Sequence, residues 1–163
     1  MDTETQVQVE PKVVIEHGQF TVSRTYPVPP ARVFFAFSDK EMKRRWLIEG
    51  EGWEVFEFTS DFRVGGADVS RFRFQDGPEI RNDTQFQDIV PDRRIAFTYR
   101  MAIGAKVLSA SLVTVEFDVA SGGTKMTYTE QGAYFDGTDS AKGREEGTIY
   151  LMGRLGELLL ATN

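Results

Sequence analysis

Few residues in this chain could carry chemistry. There is one histidine, His17, and no cysteine. Zinc fingers, thiol redox chemistry, cysteine nucleophiles and iron–sulfur clusters are thereby excluded. His17 stands in a polar segment ahead of the first predicted strand and reads as a surface residue. No carboxylates gather at metal-ligand spacing, so neither a metal nor another cofactor is expected. The one pointed acid–base candidate is Glu130, which shares strand parity with Met126 and Tyr128. Side chains two apart project from the same face of a strand. Turned inward, a carboxylate there could act as acid or base, with Tyr128 beside it. A solvated place at the rim, or a strand end flipped by a bulge, is the expectation. Phe72 and Phe74 share parity with Asp68 and Ser70, and Phe86 with Asn82 and Thr84. Arg71 and Arg73 take the opposite parity and read as solvent-facing charges. Trp46 and Trp53 flank Ile48-Glu49-Gly50-Glu51-Gly52, which reads equally as a lid or as a loop between two plugs of the core. Tyr99, Tyr128 and Met152 read as core residues able to line a cavity wall. Lys43-Arg44-Arg45 reads as a solvated helix face.

Positioning these residues falls to a recognisable order of elements. Gln19 to Tyr26 alternates as a first strand, and Pro27-Val28-Pro29-Pro30 stops it. Pro30 suits the first turn of a helix, and Val33, Phe34 and Phe37 give that helix an apolar face. Ser38-x-x-Glu41 has capping-box spacing and predicts a second helix from Asp39 to about Trp46. Period-two runs follow at 54–58, 67–74, 79–90, 93–101, 106–119 and 124–134. Gly65-Gly66 permits a sharp bend, and Ser121-Gly122-Gly123 a hairpin. A last helix is predicted over 140–161, with Leu151, Met152, Leu155, Leu158 and Leu159 as its apolar stripe. Its glycines, Gly143, Gly147, Gly153 and Gly156, point first to close packing and second to room for a cavity. The fold class is α+β: one strand, two short helices, six strands and a long C-terminal helix. Short turns make the sheet antiparallel. A curved sheet cannot touch a straight helix along its whole length, so a pocket is expected between them.

The 163 residues are one domain's worth of chain. A flexible tail is expected over 1–16 and a single domain over 17–163. Nineteen basic against 25 acidic residues give a net charge of −6, which argues against nucleic acid as a partner. No basic leader precedes an apolar run, and no window is apolar enough to span a bilayer. A cytoplasmic protein is expected. An apolar strip on the last helix would permit a homodimer, and a monomer is equally allowed.

Four segments carry a family resemblance. They are Thr25-Tyr26-Pro27-Val28-Pro29-Pro30-Ala31-Arg32-Val33-Phe34, Phe62-Arg63-Val64-Gly65-Gly66, Ile89-Val90-Pro91-Asp92-Arg93-Arg94-Ile95-Ala96-Phe97-Thr98-Tyr99 and Thr124-Lys125-Met126-Thr127-Tyr128-Thr129. In this order they resemble the START-like (SRPBCC) superfamily with its helix-grip fold, and most nearly the activator of heat-shock-protein-90 ATPase homologue family. The Gly-Trp frequent near the start of that family's last helix is represented here by Gly147-Thr148. The resemblance implies a small hydrophobic or aromatic ligand held between sheet and last helix, touching Trp46, Trp53, Phe72, Phe86, Tyr99, Tyr128, Glu130 and Met152. It also leaves open a polyketide cyclase- or hydrolase-like enzyme using Glu130 or Tyr128, and an interaction protein with a chaperone as partner.

Overall fold

Proline makes the first break in the chain. In the computed structural model, which describes residues 13–162, strand β1 (Ile15–Tyr26) runs into Pro27, and helix α1 (Pro30–Ser38) starts with proline at its first position. Helix α2 (Lys40–Leu47) follows at once. Its N-cap is Asp39, whose carboxylate accepts from the Met42 amide at 3.0 Å. This corrects the expected Ser38 cap. Asp39 is the residue in extended conformation between the helices, while the Ser38 hydroxyl donates back to the Phe35 carbonyl. Strands β2 (Trp53–Ser60), β3 (Ala67–Phe74), β4 (Ile80–Val90), β5 (Arg94–Ile103), β6 (Lys106–Ala120) and β7 (Gly123–Phe135) then form a meander. Helix α3 (Ala141–Ala161) closes the chain, capped by the Ser140 hydroxyl on the Gly143 amide at 3.0 Å.

The seven strands form one antiparallel sheet in the order β1-β7-β6-β5-β4-β3-β2. The first strand thus pairs with the last, with Phe20 opposite Glu130 and Val22 opposite Tyr128. The pairing extends back to Ile15 opposite Phe135. His17 is therefore within β1, exposed, and not ahead of it. Ile15 and Glu16, expected in the tail, are in the strand as well, whereas the acidic stretch Met1 to Glu10 lies outside the described residues. Gly65-Gly66 threads the β2–β3 connection against β4: the Gly65 amide donates to the Phe86 carbonyl at 2.8 Å. A Cβ on Gly66 would lie 2.1 Å from the Asp61 carbonyl oxygen, so only glycine fits there.

The core gathers on the inner face of the sheet. Val113, Val115, Phe117 and Met126 meet Val33, Ala36 and Phe37 of α1 and Met152, Leu155 and Leu159 of α3. Phe117 packs edge-on against Phe34 and Phe37 at 5.7 and 5.6 Å. Helix α3 lies along β1 and crosses α1 and α2. The Tyr26 hydroxyl donates to the Met152 carbonyl at 2.9 Å. A Cβ at Gly156 would come within 3.3 Å of the Tyr26 ring, so this glycine serves close packing. Over β2 to β5 the helix gives no such cover. Among the described residues no helix is long and apolar enough to cross a membrane.

Candidate functional site

The space that α3 leaves over β2–β5 is a cavity of about 370 Å³. Its sheet wall includes the inward-parity residues Trp53, Phe72, Phe97, Tyr99, Met101 and Tyr128, with Ser70 and Asn82 as polar members. The opposing wall comes from α2 and α3 through Trp46, Leu47, Leu151 and Met152. Gly143 and Gly147 also border it, and nothing lies within 4 Å of where a Gly147 Cβ would stand. The helix glycines therefore do both things expected of them, packing at Gly156 and space at Gly147. Thr148, at the place where the family frequently has Trp, turns its hydroxyl back to the Arg144 carbonyl at 2.9 Å. A side chain this small leaves the cavity open.

Six of the eight residues singled out in the sequence line this cavity: Trp46, Trp53, Phe72, Tyr99, Tyr128 and Met152. Phe86 does not. It lies beneath, edge-on to Phe62 at 4.9 Å, with the Lys43 ammonium 5.2 Å from its ring centre. Trp46 is a fixed wall, its indole N–H donating to the Ala36 carbonyl at 2.8 Å. Trp53 is wedged between Phe72 and Phe74. The loop between the two tryptophans is strapped to α3, because the Arg154 guanidinium donates to the Arg45 and Glu49 carbonyls.

Glu130 is not at the rim. It is fully buried, because β7 keeps regular register with both β1 and β6 past this point and no bulge flips it. Its carboxylate accepts from Tyr99 (2.7 Å) and Tyr128 (3.5 Å) at one oxygen, and from Tyr134 (3.0 Å) and Ser111 (3.2 Å) at the other. Four hydroxyls thus fill its four acceptor sites. The Arg144 guanidinium lies 3.6 Å away. It donates to the Tyr99 hydroxyl (2.5 Å), Ser109 (2.9 Å) and Asp139 (2.8 Å). Burial pushes the Tyr99, Tyr128 and Tyr134 phenols well above their ordinary pKa, and the Glu130 charge adds to the shift. Burial works against the charge on Arg144, but Tyr99, Asp139 and Glu130 outweigh it and hold its pKa above the usual value.

A second polar cluster borders the cavity at α2. Lys43 is buried, not solvated, and its ammonium bonds Asp68 at 2.8 Å. The Ser60 hydroxyl donates to the other Asp68 oxygen at 2.7 Å. Arg45 of the same run is exposed. Lys43 and Arg144 were the residues missed in the sequence. Spacing could have found both: Lys43 precedes buried Trp46 by one helical turn, and Arg144, Thr148 and Met152 are spaced by four on α3. Arg71 and Arg73 face outward as expected, paired with Glu57, Glu79 and Glu54. Among the described residues no group of three His, Asp or Glu side chains could hold a metal ion.

Chemically, the site can enclose and orient but is poorly placed to move protons. Glu130 is screened from the cavity by Tyr99 and Tyr128 and has no free acceptor site. The two phenols on the wall are weak acids already committed to it.

Known proteins share this architecture. A protein from Rhizobium loti, Mll3558, is 59% identical, with a TM-score of 0.82 over 89% of this chain and 99% of its own. An uncharacterized protein from Rhizobium leguminosarum is 36% identical, with a TM-score of 0.88 over 93% of this chain and 99% of its own. CV1439 from Chromobacterium violaceum is 25% identical, with a TM-score of 0.75 over 86% and 96%. No curated protein matches the chain. The family described as activator of Hsp90 ATPase homolog 1-like protein matches residues 27–159. With that match spanning most of the chain and the helix-grip architecture beneath it, the protein belongs to the activator of Hsp90 ATPase homolog 1-like family, of the START-like type.

Proposed function

We propose that this protein binds a small hydrophobic or aromatic molecule in the cavity between the curved sheet and α3. The observation that carries this reading is the cavity itself, largely apolar, with eight aromatic side chains among its 23 lining residues, and about 370 Å³ in volume. Small-molecule sites begin at roughly 300 Å³. Affinity would come from covering ligand carbon with Trp53, Phe72, Phe97 and Met152, at about 25 cal/mol per Å² before ordering costs. Tyr99 and Tyr128 would present their rings to the ligand, held in place by Glu130, which fixes their hydroxyls. A cyclase or hydrolase reading has less support, because the one buried carboxylate has no free acceptor site. A chaperone-modulating reading rests on the family description alone.

The test is native mass spectrometry of the protein purified from its own host. A stoichiometric small molecule should be present and should leave on denaturation. Met152→Trp, which fills the cavity at a cost of about 1–3 kcal/mol, should come out folded and empty. Wild-type protein that is empty and takes up nothing from a host extract overturns the reading, and a pull-down against the host's chaperones then takes precedence.

A further inference from the structure

The cavity wall carries hydrogen-bond donors that no protein group uses. Ser70 and Asn82 face each other across the β3–β4 pair, both on the cavity side. The Asn82 carboxamide oxygen accepts from Thr84 at 3.1 Å, and the side chain's NH₂ is the other polar end of a residue that lines the cavity. Among the described residues neither that NH₂ nor the Ser70 hydroxyl has a partner, although Ser70 is only 6% exposed. The next row of the same strand pair is Asp68 opposite Thr84, and Asp68 holds Lys43. The ammonium has three donors and Asp68 is its one acceptor among the described residues. Three neighbouring side chains thus offer more donors than the protein satisfies, beside the apolar part of the wall formed by Trp53, Phe72 and Ile80. These donors open onto the cavity and are not sealed in the core: among the described residues the one buried side-chain atom without a partner is Arg154 Nη1.

Resting on the cavity being a ligand site, we propose that it selects an uncharged apolar molecule bearing a carbonyl-type acceptor, read by Ser70 and Asn82 beside the Lys43–Asp68 pair. The acceptor follows from the unused donors. The lack of charge follows from the ions already around the cavity. Lys43 and Arg144 stand against Asp68, Asp139 and Glu130, one negative charge in excess. A carboxylate ligand would add a second unbalanced negative charge in a desolvated space. A cationic head placed beside Ser70 and Asn82 would meet the like charge of the Lys43 ammonium. A ketone, ester or amide oxygen satisfies the donors and leaves the charge balance alone.

Three naphthalenes of similar shape test this by fluorescence titration: 2-acetylnaphthalene, 2-ethylnaphthalene and 2-naphthoate. The ketone should bind about tenfold tighter than the hydrocarbon, the worth of two neutral hydrogen bonds. Naphthoate should bind no tighter than the hydrocarbon. Ser70→Ala with Asn82→Leu should erase the ketone's advantage while leaving the hydrocarbon within about twofold. Ser70→Ala alone removes one hydroxyl and should cost the ketone about threefold, so the test holds if the double variant fails to fold. Equal binding of ketone and hydrocarbon, tightest binding of naphthoate, or an advantage that survives the substitutions overturns the proposal while leaving the cavity reading intact. Binding of all three that is unchanged by Met152→Trp, or no binding at all, removes the cavity reading and the proposal with it.

Discussion

The cluster around Glu130 and the cluster around Lys43 both bring charge close to the cavity, yet they differ in how completely their hydrogen bonds are made. Glu130 receives four hydroxyls and lies beside Arg144, which is itself held by Asp139, Ser109 and Tyr99. These partners come from β5, β6, β7, α3 and the turn before α3. The network ties the start of α3 to the sheet and leaves nothing over. Lys43 and Asp68 hold each other, with Ser60 as the one further partner, beside donors that have none. A closed hydrogen-bond account marks a structural element, because its removal leaves charges buried without partners. An open account on a cavity wall is what the proposed ligand would complete. The Glu130 cluster, first met as the acid–base candidate, thus falls on the structural side. The Lys43 side, first read as solvated surface, falls on the recognition side.

The largest effect should come from breaking the closed network. Glu130→Gln removes the charge that faces Arg144 and should cost about 3–5 kcal/mol. Urea unfolding measures it. Affinity of the surviving folded protein for 2-ethylnaphthalene should stay within about twofold of wild type. Unchanged stability with lost binding would exchange the roles of the two clusters.

Lys43→Met should cost less, about 2–3 kcal/mol, because it strands Asp68 with Ser60 alone. Adding Asp68→Leu should restore most of that loss, since both ends of the pair are then apolar. An additive double variant would show that the two residues do not act as a pair.

Alkaline pH provides the next test. The folded-state pKa values of Tyr26, Tyr99, Tyr128 and Tyr134 are raised by burial. Stability from keeping these phenols neutral is fully present below about pH 10, the unfolded value. It is lost as the pH rises above 10 towards the raised folded values. The urea midpoint should therefore fall steadily above pH 10, and Tyr99→Phe should make that fall shallower. An unchanged slope would mean that Tyr99 is not sealed against the closed cluster.

The smallest effect belongs to the outer face, where ion pairs are exposed. The Arg81 hydrogen bond, with help from Arg100, holds the Asp83 carboxyl below its ordinary pKa. The stability it brings is present above about pH 4 and is lost as the pH falls through the lowered folded value. Asp83→Asn should flatten the acid limb of a stability profile by less than about 1 kcal/mol. A loss as large as that of Glu130→Gln would mean that burial is not what separates these pairs.

Alternation by itself determined much of this molecule. It placed Phe72, Tyr99, Tyr128 and Phe117 on the inner face and Arg71 and Arg73 on the outer one, because side-chain direction in a strand is a local property with period two. Proline and glycine punctuation located the breaks at Pro27-Pro30 and Gly65-Gly66, because φ is a property of single residues. The order of elements then implied a helix over a curved sheet and a gap between them. Partnership was the part that no local pattern held. The pairing of β1 with β7, which keeps β7 regular and so turns Glu130 inward, joins residues 98 to 120 positions apart. Tyr99 and Ser111 reach Glu130 from 31 and 19 residues away, and Asp68 reaches Lys43 from 25. Whether an inward polar side chain is satisfied or stranded depends on what tertiary packing sets opposite it, and that decided which of these charges builds the fold and which borders the cavity.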